Sequence, residues 1–116
     1  MCNSVDLLPY LNVYSTTSFQ DMVLPRDIQV AKLNLFYKDW SHLAVQFDGG
    51  SFLFYLNGIL TGKRTGASGP PNVNRTLNYF GKSNWVADSN VDAIFDEIRI
   101  YDRVLSQSEI FELMLE

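Results

Sequence analysis

The sequence predicts an all-β chain, an antiparallel β-sandwich with one short C-terminal helix. Three observations carry this. Apolar residues alternate with other residues in two neighbouring runs, Leu43, Val45 and Phe47, then Phe52, Phe54 and Leu56, which is the period of a pleated strand. Turn signals follow each run, Asp48-Gly49-Gly50 and Asn57-Gly58, and they supply the positive backbone dihedrals a tight hairpin needs. Near the end, Ser106-Gln107-Ser108-Glu109 has the spacing of a helix capping box, with Ile110, Leu113 and Met114 following at helical intervals. Many short strands and a single helix point to a sandwich rather than a parallel α/β sheet.

Taken in order, Leu11 and Val13 flank Asn12 and predict a weakly alternating strand. Pro9 lacks an amide and places the piece before it at an edge. Residues 18–27 read as a loop around Pro25. Residues 28–37 read as a strand with a bulge near Ala31-Lys32. Residues 40–47 and 51–57 are the clearest strands, and Ile59-Leu60-Thr61 continues beyond the second turn. Residues 62–76 are the most loop-like stretch, because they hold three glycines and two prolines and only Ala67 and Val73 are apolar. A short strand is predicted over 76–80, then a connection over 81–90 that contains Trp85. Beyond Val91 a last strand is expected. Ile94, Asp96, Ile98 and Ile100 share one face of it, and Phe95, Glu97, Arg99 and Tyr101 the other. With 116 residues, no repeat and no long linker, the chain reads as one domain over 1–116.

Hydrophobic residues make up 47% and charged residues 19% of the chain, which fits an ordinary globular domain. No apolar run approaches a membrane span, so membrane insertion is not expected. A net charge of −4 argues against nucleic acid as a partner. Residues 1–4 are not followed by a basic region and an apolar core, so no secretory signal is read there. Cys2 is the only cysteine and forms no disulfide within the chain.

Four stretches, in order, carry a family resemblance. They are W-S-H-L-A-V-Q-F-D-G-G at 40–50, L-F-Y-L-N-G-I-L at 53–60, Y-F-G-K-S-N-W at 79–85 and F-D-E-I-R-I-Y-D-R-V-L-S-Q-S-E-I at 95–110. Together they resemble the laminin G-like, pentraxin-like jelly-roll domains of the concanavalin A-like lectin/glucanase superfamily, over roughly residues 38–114. The resemblance implies a jelly-roll sandwich and a non-catalytic binding module for a glycan or a partner protein. It also implies an extracellular or cell-surface setting and, in many members, a structural calcium. Such domains usually carry more strands at the front. Here residues 1–37 form an abbreviated set, or a second chain completes the sheet. The second option gives an alternative function, a structural subunit whose open sheet edge packs into a larger assembly.

The candidate site residues follow, each with a plainer alternative. The resemblance makes Asp96 a calcium ligand; the alternative is a carboxylate that accepts backbone amides. Asp88, Asn90 and Asp92 have the spacing of the start of a calcium loop, but Ala93 stands where glycine is needed and no glutamate closes it, so a solvated turn is favoured. Trp85, Tyr79 and Tyr55 could each stack on a sugar ring. Tyr55 and Tyr79 are assigned to the core, whereas Trp85 stands in a polar loop beside Asp88 and Asn90 and is kept as a ligand-binding candidate. Asn74-Arg75-Thr76 is a glycosylation sequon if the chain is secreted. His42 has no triad partner nearby in sequence and reads as structural, and Glu97 with Arg99 reads as an exposed ion pair. Glycoside hydrolysis needs two carboxylates flanking one bond. On a strand, Asp96 and Glu97 point to opposite faces, so no enzyme is expected.

Overall fold

Asn57-Gly58 and Gly49-Gly50 do in the structure what their composition requires. Both pairs have positive φ at both positions, +48° and +75° for the first and +50° and +92° for the second, which closes two-residue hairpins without splaying the strands. This is a computed structural model, and it describes residues 10–14, 19–23, 40–67 and 69–116. The chain forms two compact units, one of Met1–Pro71 with Asp102–Glu116 and one of Asn72–Tyr101.

In the first unit, β1 (Tyr10–Tyr14) pairs antiparallel with β2 (Phe19–Val23), with Asn12 opposite Asp21. The strand expected around Leu11 and Val13 is therefore present, while β2 replaces part of the loop expected over 18–27. The strand predicted over 28–37 lies outside the described residues. A second antiparallel sheet has the order β3 (Leu43–Asp48), β4 (Ser51–Leu56), β5 (Ile59–Thr65). Its register places Leu43, Val45 and Phe47 opposite Leu56, Phe54 and Phe52, so these six side chains share a face. The Phe47 and Phe52 rings meet with centroids 5.0 Å apart. Asn57 lengthens the β3–β4 ladder by one step: its N–H donates to the His42 carbonyl at 2.8 Å, and its Oδ1 accepts the His42 N–H at 2.9 Å.

β5 runs on to Thr65, further than the Ile59-Leu60-Thr61 expected, so the loop begins later than its composition implies. Between β4 and β5 the register slips by one residue, with Phe54 opposite Gly62 and Tyr55 opposite Leu60. The extra residue is Thr61, which is buried; its hydroxyl donates to the Phe54 carbonyl at 3.1 Å. The buried hydroxyl thus finds its partner at the bulge itself.

The opposite face of this sheet is covered by the chain end. Helix α1 (Gln107–Leu115) starts at Ser106, whose side chain accepts the Glu109 N–H while the Glu109 carboxylate accepts the Ser106 N–H. This is the predicted capping box. Ile110 and Leu105 pack on Tyr55 in a buried cluster bordered by Ala44, Leu53 and Leu113. Phe111 lies against the second hairpin, where a Cβ added to Gly58 would stand 2.7 Å from its ring.

The second unit, Asn72–Tyr101, contains no strand or helix. The strands expected over 76–80 and 91–101 are absent from it. Glu97 has φ +51°, which interrupts the pleat and ends the alternation on which the second expectation rests. Ile94 and Ile100 are 81% and 92% exposed, and Asp96 is exposed with them rather than lying on a buried face.

Candidate functional site

The sequence candidates Trp85, Asp88 and Asn90 fall in a single loop, residues 81–91. Its two ends are tied together, because the Val91 N–H donates to the Gly81 carbonyl at 2.8 Å. Gly81 has φ +71°, and a Cβ there would stand 2.9 Å from Val91 Cγ1 and 3.2 Å from the Phe95 ring. Only glycine fits this closure without displacing a neighbour. Phe95 also meets Phe80 with ring centroids 6.4 Å apart. A compact loop with pinned ends, built on a small apolar base, is the geometry of an Ω-loop.

Inside the loop the chain turns twice on local hydrogen bonds. The Trp85 N–H donates to Ser83 Oγ at 3.1 Å, and the Asp88 N–H donates to the Trp85 carbonyl at 3.2 Å. These turns bring Trp85, Asp88 and Asn90 to the wall of one open concavity of about 590 Å³, within the roughly 300–1,000 Å³ of small-ligand sites. Leu77, Tyr79, Lys82, Ser83 and Asn84 contribute to the same wall. The lining thus combines two aromatic rings with amides, hydroxyls, one ammonium and one carboxylate. An apolar platform beside mixed donors and acceptors suits a ligand with one C–H face and a rim of hydroxyls.

Sequence grounds assign Tyr79 to the core, yet it is 45% exposed and lines this concavity. The Lys82 ammonium lies 4.8 Å from its ring centroid, a cation–π distance. Tyr79 is an aromatic candidate in the sequence but is assigned there to the core, and Lys82 carries no sequence signal for this role, because its approach to the ring depends on the turn at Gly81. Tyr55 does belong to the core, with 5% exposure, and its hydroxyl accepts from Gln46 Nε2 at 3.2 Å.

The remaining candidates lie apart from the concavity's lining. Asp96 Oδ1 accepts the Glu97 N–H at 2.8 Å, and Arg99 Nη2 pairs with Glu97 Oε2 at 2.7 Å on the surface. Among the described residues no group of three His, Cys, Asp or Glu side chains could hold a metal ion. These side chains do not complete a calcium shell around Asp96, which would need six to eight oxygens. Asn74 is exposed in the sequon, and Asn78 Nδ2 donates to the Arg75 carbonyl within it at 3.0 Å. His42 meets Asn57 through its main chain. Among the described residues no helix is long and apolar enough to cross a membrane.

Comparison with known proteins agrees with this architecture. A laminin G family model, described as the concanavalin A-like lectin/glucanases superfamily, matches residues 12–111. No curated protein matches the chain. Among solved structures, the chain is similar to a 2.1 Å crystal structure of an S-layer domain-containing protein, residues 221–444, from Clostridium thermocellum ATCC 27405. The TM-score is 0.63 at 23% identity, with 90% of this chain and 50% of that one covered. The chain therefore spans about half the length of that structure, and the likeness bears on the fold. With a match over most of its length, and with antiparallel sheets and a C-terminal helix among the described residues, the chain belongs to the concanavalin A-like lectin/glucanases superfamily as a laminin G-like β-sandwich domain.

Proposed function

We propose that this domain is a non-catalytic binding module that takes a glycan in the concavity of the 81–91 loop, in an extracellular or cell-surface setting. One observation carries the reading: Trp85, Asp88 and Asn90, together with Tyr79 and Lys82, converge on a single wall. Trp85 serves as the stacking platform. Asp88 and Asn90 accept from and donate to the sugar hydroxyls. The superfamily membership and the S-layer domain-containing neighbour are in keeping with a role at a surface. Calcium at Asp96 is a separate proposal, and its further oxygens would have to include main-chain carbonyls or residues outside those described. Binding of the full chain to a glycan array, repeated with Trp85→Ala, tests the glycan reading. Loss of array signal in the variant, with an unchanged melting temperature, supports it; an array with no signal for the wild type ends it.

A second reading rests on β3. Leu43, Val45 and Phe47 lie along one face of that strand and are 45%, 46% and 36% exposed, and β3 lies at one edge of its sheet among the described residues. An apolar edge strand invites another strand or layer. In this reading the partner is a protein, and the domain is a structural subunit. Sedimentation decides it: concentration-dependent association of the wild type that Val45→Lys abolishes supports the subunit, and a monomer at all concentrations refutes self-assembly.

A further inference from the structure

Residues 94–101 carry the residue pattern of a strand, yet they belong to neither sheet formed by the described residues. Phe95 and Ile98 are each 51% exposed, and Ile94 and Ile100 more so. A solvent-facing apolar row of this kind is a surface that another strand covers. The charges within the segment identify that strand. Glu97 and Arg99 flank Ile98, and their side chains meet at 2.7 Å on the surface. In an antiparallel pair of two such segments centred on Ile98, Glu97 of each copy faces Arg99 of the other, and Phe95 faces Tyr101. We propose that a second copy of this chain is the partner, joined through a two-fold antiparallel pairing of residues 94–101 about Ile98.

The register follows from what faces what. The isoleucines of both copies stay on one side of the ribbon only if the two-fold axis passes through a residue, because a one-residue slip moves the whole set to the other face. An axis at Asp96, Glu97 or Arg99 sets a charge directly against its own copy, which is unfavourable. Axes nearer the ends shorten the overlap. An axis at Ile98 sets Ile98 against itself, and symmetry then makes the Glu97–Arg99 and Phe95–Tyr101 pairs twice each. Asp96 lies opposite Ile100, a neutral neighbour. Glu97 has φ +51° in the single chain, a backbone region unfavourable to a residue with a Cβ, and extending it into a ladder removes that cost. The ion pair within one chain is exchanged for two of the same kind between chains. The exposed charges therefore set the register, while covered apolar surface supplies the affinity. This pairing is independent of the glycan reading, and it uses residues other than those of the β3 edge.

Sedimentation velocity of the full chain over a concentration series tests it, with the wild type, Glu97→Arg, Arg99→Glu and the chain carrying both substitutions. The wild type should associate to a dimer. Each single reversal places like charges opposite at two symmetric positions and should weaken self-association about tenfold. The doubly substituted chain should dimerise as the wild type does. An equimolar mixture of the two single variants should also dimerise, because the arginines of one copy face the glutamates of the other. Bulk attraction does not account for that result, since each change moves the net charge of −4 by two and both variants stay negative. A wild type that stays monomeric across the series overturns the proposal. Association that neither reversal weakens overturns it, and so does a mixture that stays monomeric. Association lost in Val45→Lys but kept in Glu97→Arg overturns it too, and leaves the β3 reading standing.

Discussion

Gln46 and Leu105 pair as two strands would, although one partner is a side chain. Gln46 Nε2 donates to the Leu105 carbonyl at 3.1 Å, and the Leu105 N–H donates to Gln46 Oε1 at 3.0 Å, across a sequence separation of 59. The amide joins the chain end to β3 just before α1 begins. Gln46→Leu should cost about 1–3 kcal/mol, because it leaves both main-chain groups of Leu105 without their partner in a half-buried place. Gln46→Glu should also destabilise, since a carboxylate cannot donate to the Leu105 carbonyl. Tyr55→Phe removes only an acceptor and should cost less, about 0.5–1.5 kcal/mol. Denaturant melts of the three variants check the order.

Glu109 links helix capping to pH. The Arg103 guanidinium forms two hydrogen bonds to its carboxylate, at 2.7 and 3.1 Å, and the Ser106 N–H adds a third at 2.7 Å. Together these lower its pKa from 4.5 to about 2, with Arg103 the largest cause. A carboxyl held below its unfolded value stabilises the fold above that value and loses the contribution as pH falls. The window therefore runs from about pH 4.5 down to about pH 2. Glu109→Gln keeps a capping-box side chain and removes the charge. Its melting temperature should fall less than that of the wild type between about pH 5 and pH 2, with the difference reduced in high salt because the pair is exposed.

Gly58 and Phe111 form a second tie between the hairpin and α1. Gly58→Ala faces two penalties: φ is +75°, and the new Cβ would lie 2.7 Å from Phe111 Cδ2 and 3.2 Å from the Phe111 main chain. The left-handed backbone alone costs about 1–2 kcal/mol. In a Phe111→Ala background the ring clash disappears, while the backbone penalty and the crowding against the main chain of α1 remain. A double-mutant cycle should show favourable coupling that recovers part of the Gly58→Ala loss. Strict additivity would mean that the helix has already shifted away.

The calcium proposal for Asp96 has a separate readout. If the ion is bound, a hundredfold excess over its dissociation constant adds about 2.7 kcal/mol, a visible rise in melting temperature relative to chelator. Asp96→Asn should abolish that rise. A wild type indifferent to millimolar calcium ends the proposal and leaves Asp96 as an acceptor for the Glu97 amide.

The parts of the fold legible in the sequence are those fixed by local chemistry. Glycine at Gly49, Gly50 and Gly58 dictates both hairpins, and Ser106 with Glu109 dictates where α1 begins. β2 is hidden because Phe19-Gln20-Asp21-Met22-Val23 mixes polar and apolar residues on both faces and Pro25 follows closely. The end of β5 is hidden because Lys63-Arg64-Thr65 is polar, as a strand can be that lies at the edge of its sheet among the described residues. Residues 94–101 mislead in the opposite direction. Their isoleucines alternate, but alternation records a pattern without a ladder partner, and Glu97 turns the backbone away from the pleat. For the site, Trp85, Asp88 and Asn90 are visible as an aromatic residue and oxygen ligands in a polar loop. Tyr79 is visible as an aromatic residue but its place in the wall is not, and Lys82 is not visible at all, because its approach to the Tyr79 ring follows from the turn at Gly81 and not from any motif.

The central claim is that the 81–91 loop binds a sugar through Trp85. Isothermal titration of the wild type and Trp85→Ala against the best glycan from an array measures this directly, with Trp40→Phe as the control for the other tryptophan. A lost aromatic interaction of about 0.5–1.5 kcal/mol corresponds to a weakening of up to roughly tenfold. The account predicts that weakening in Trp85→Ala, an unchanged affinity in Trp40→Phe, and equal melting temperatures for all three proteins. Equal affinities for wild type and Trp85→Ala would contradict it.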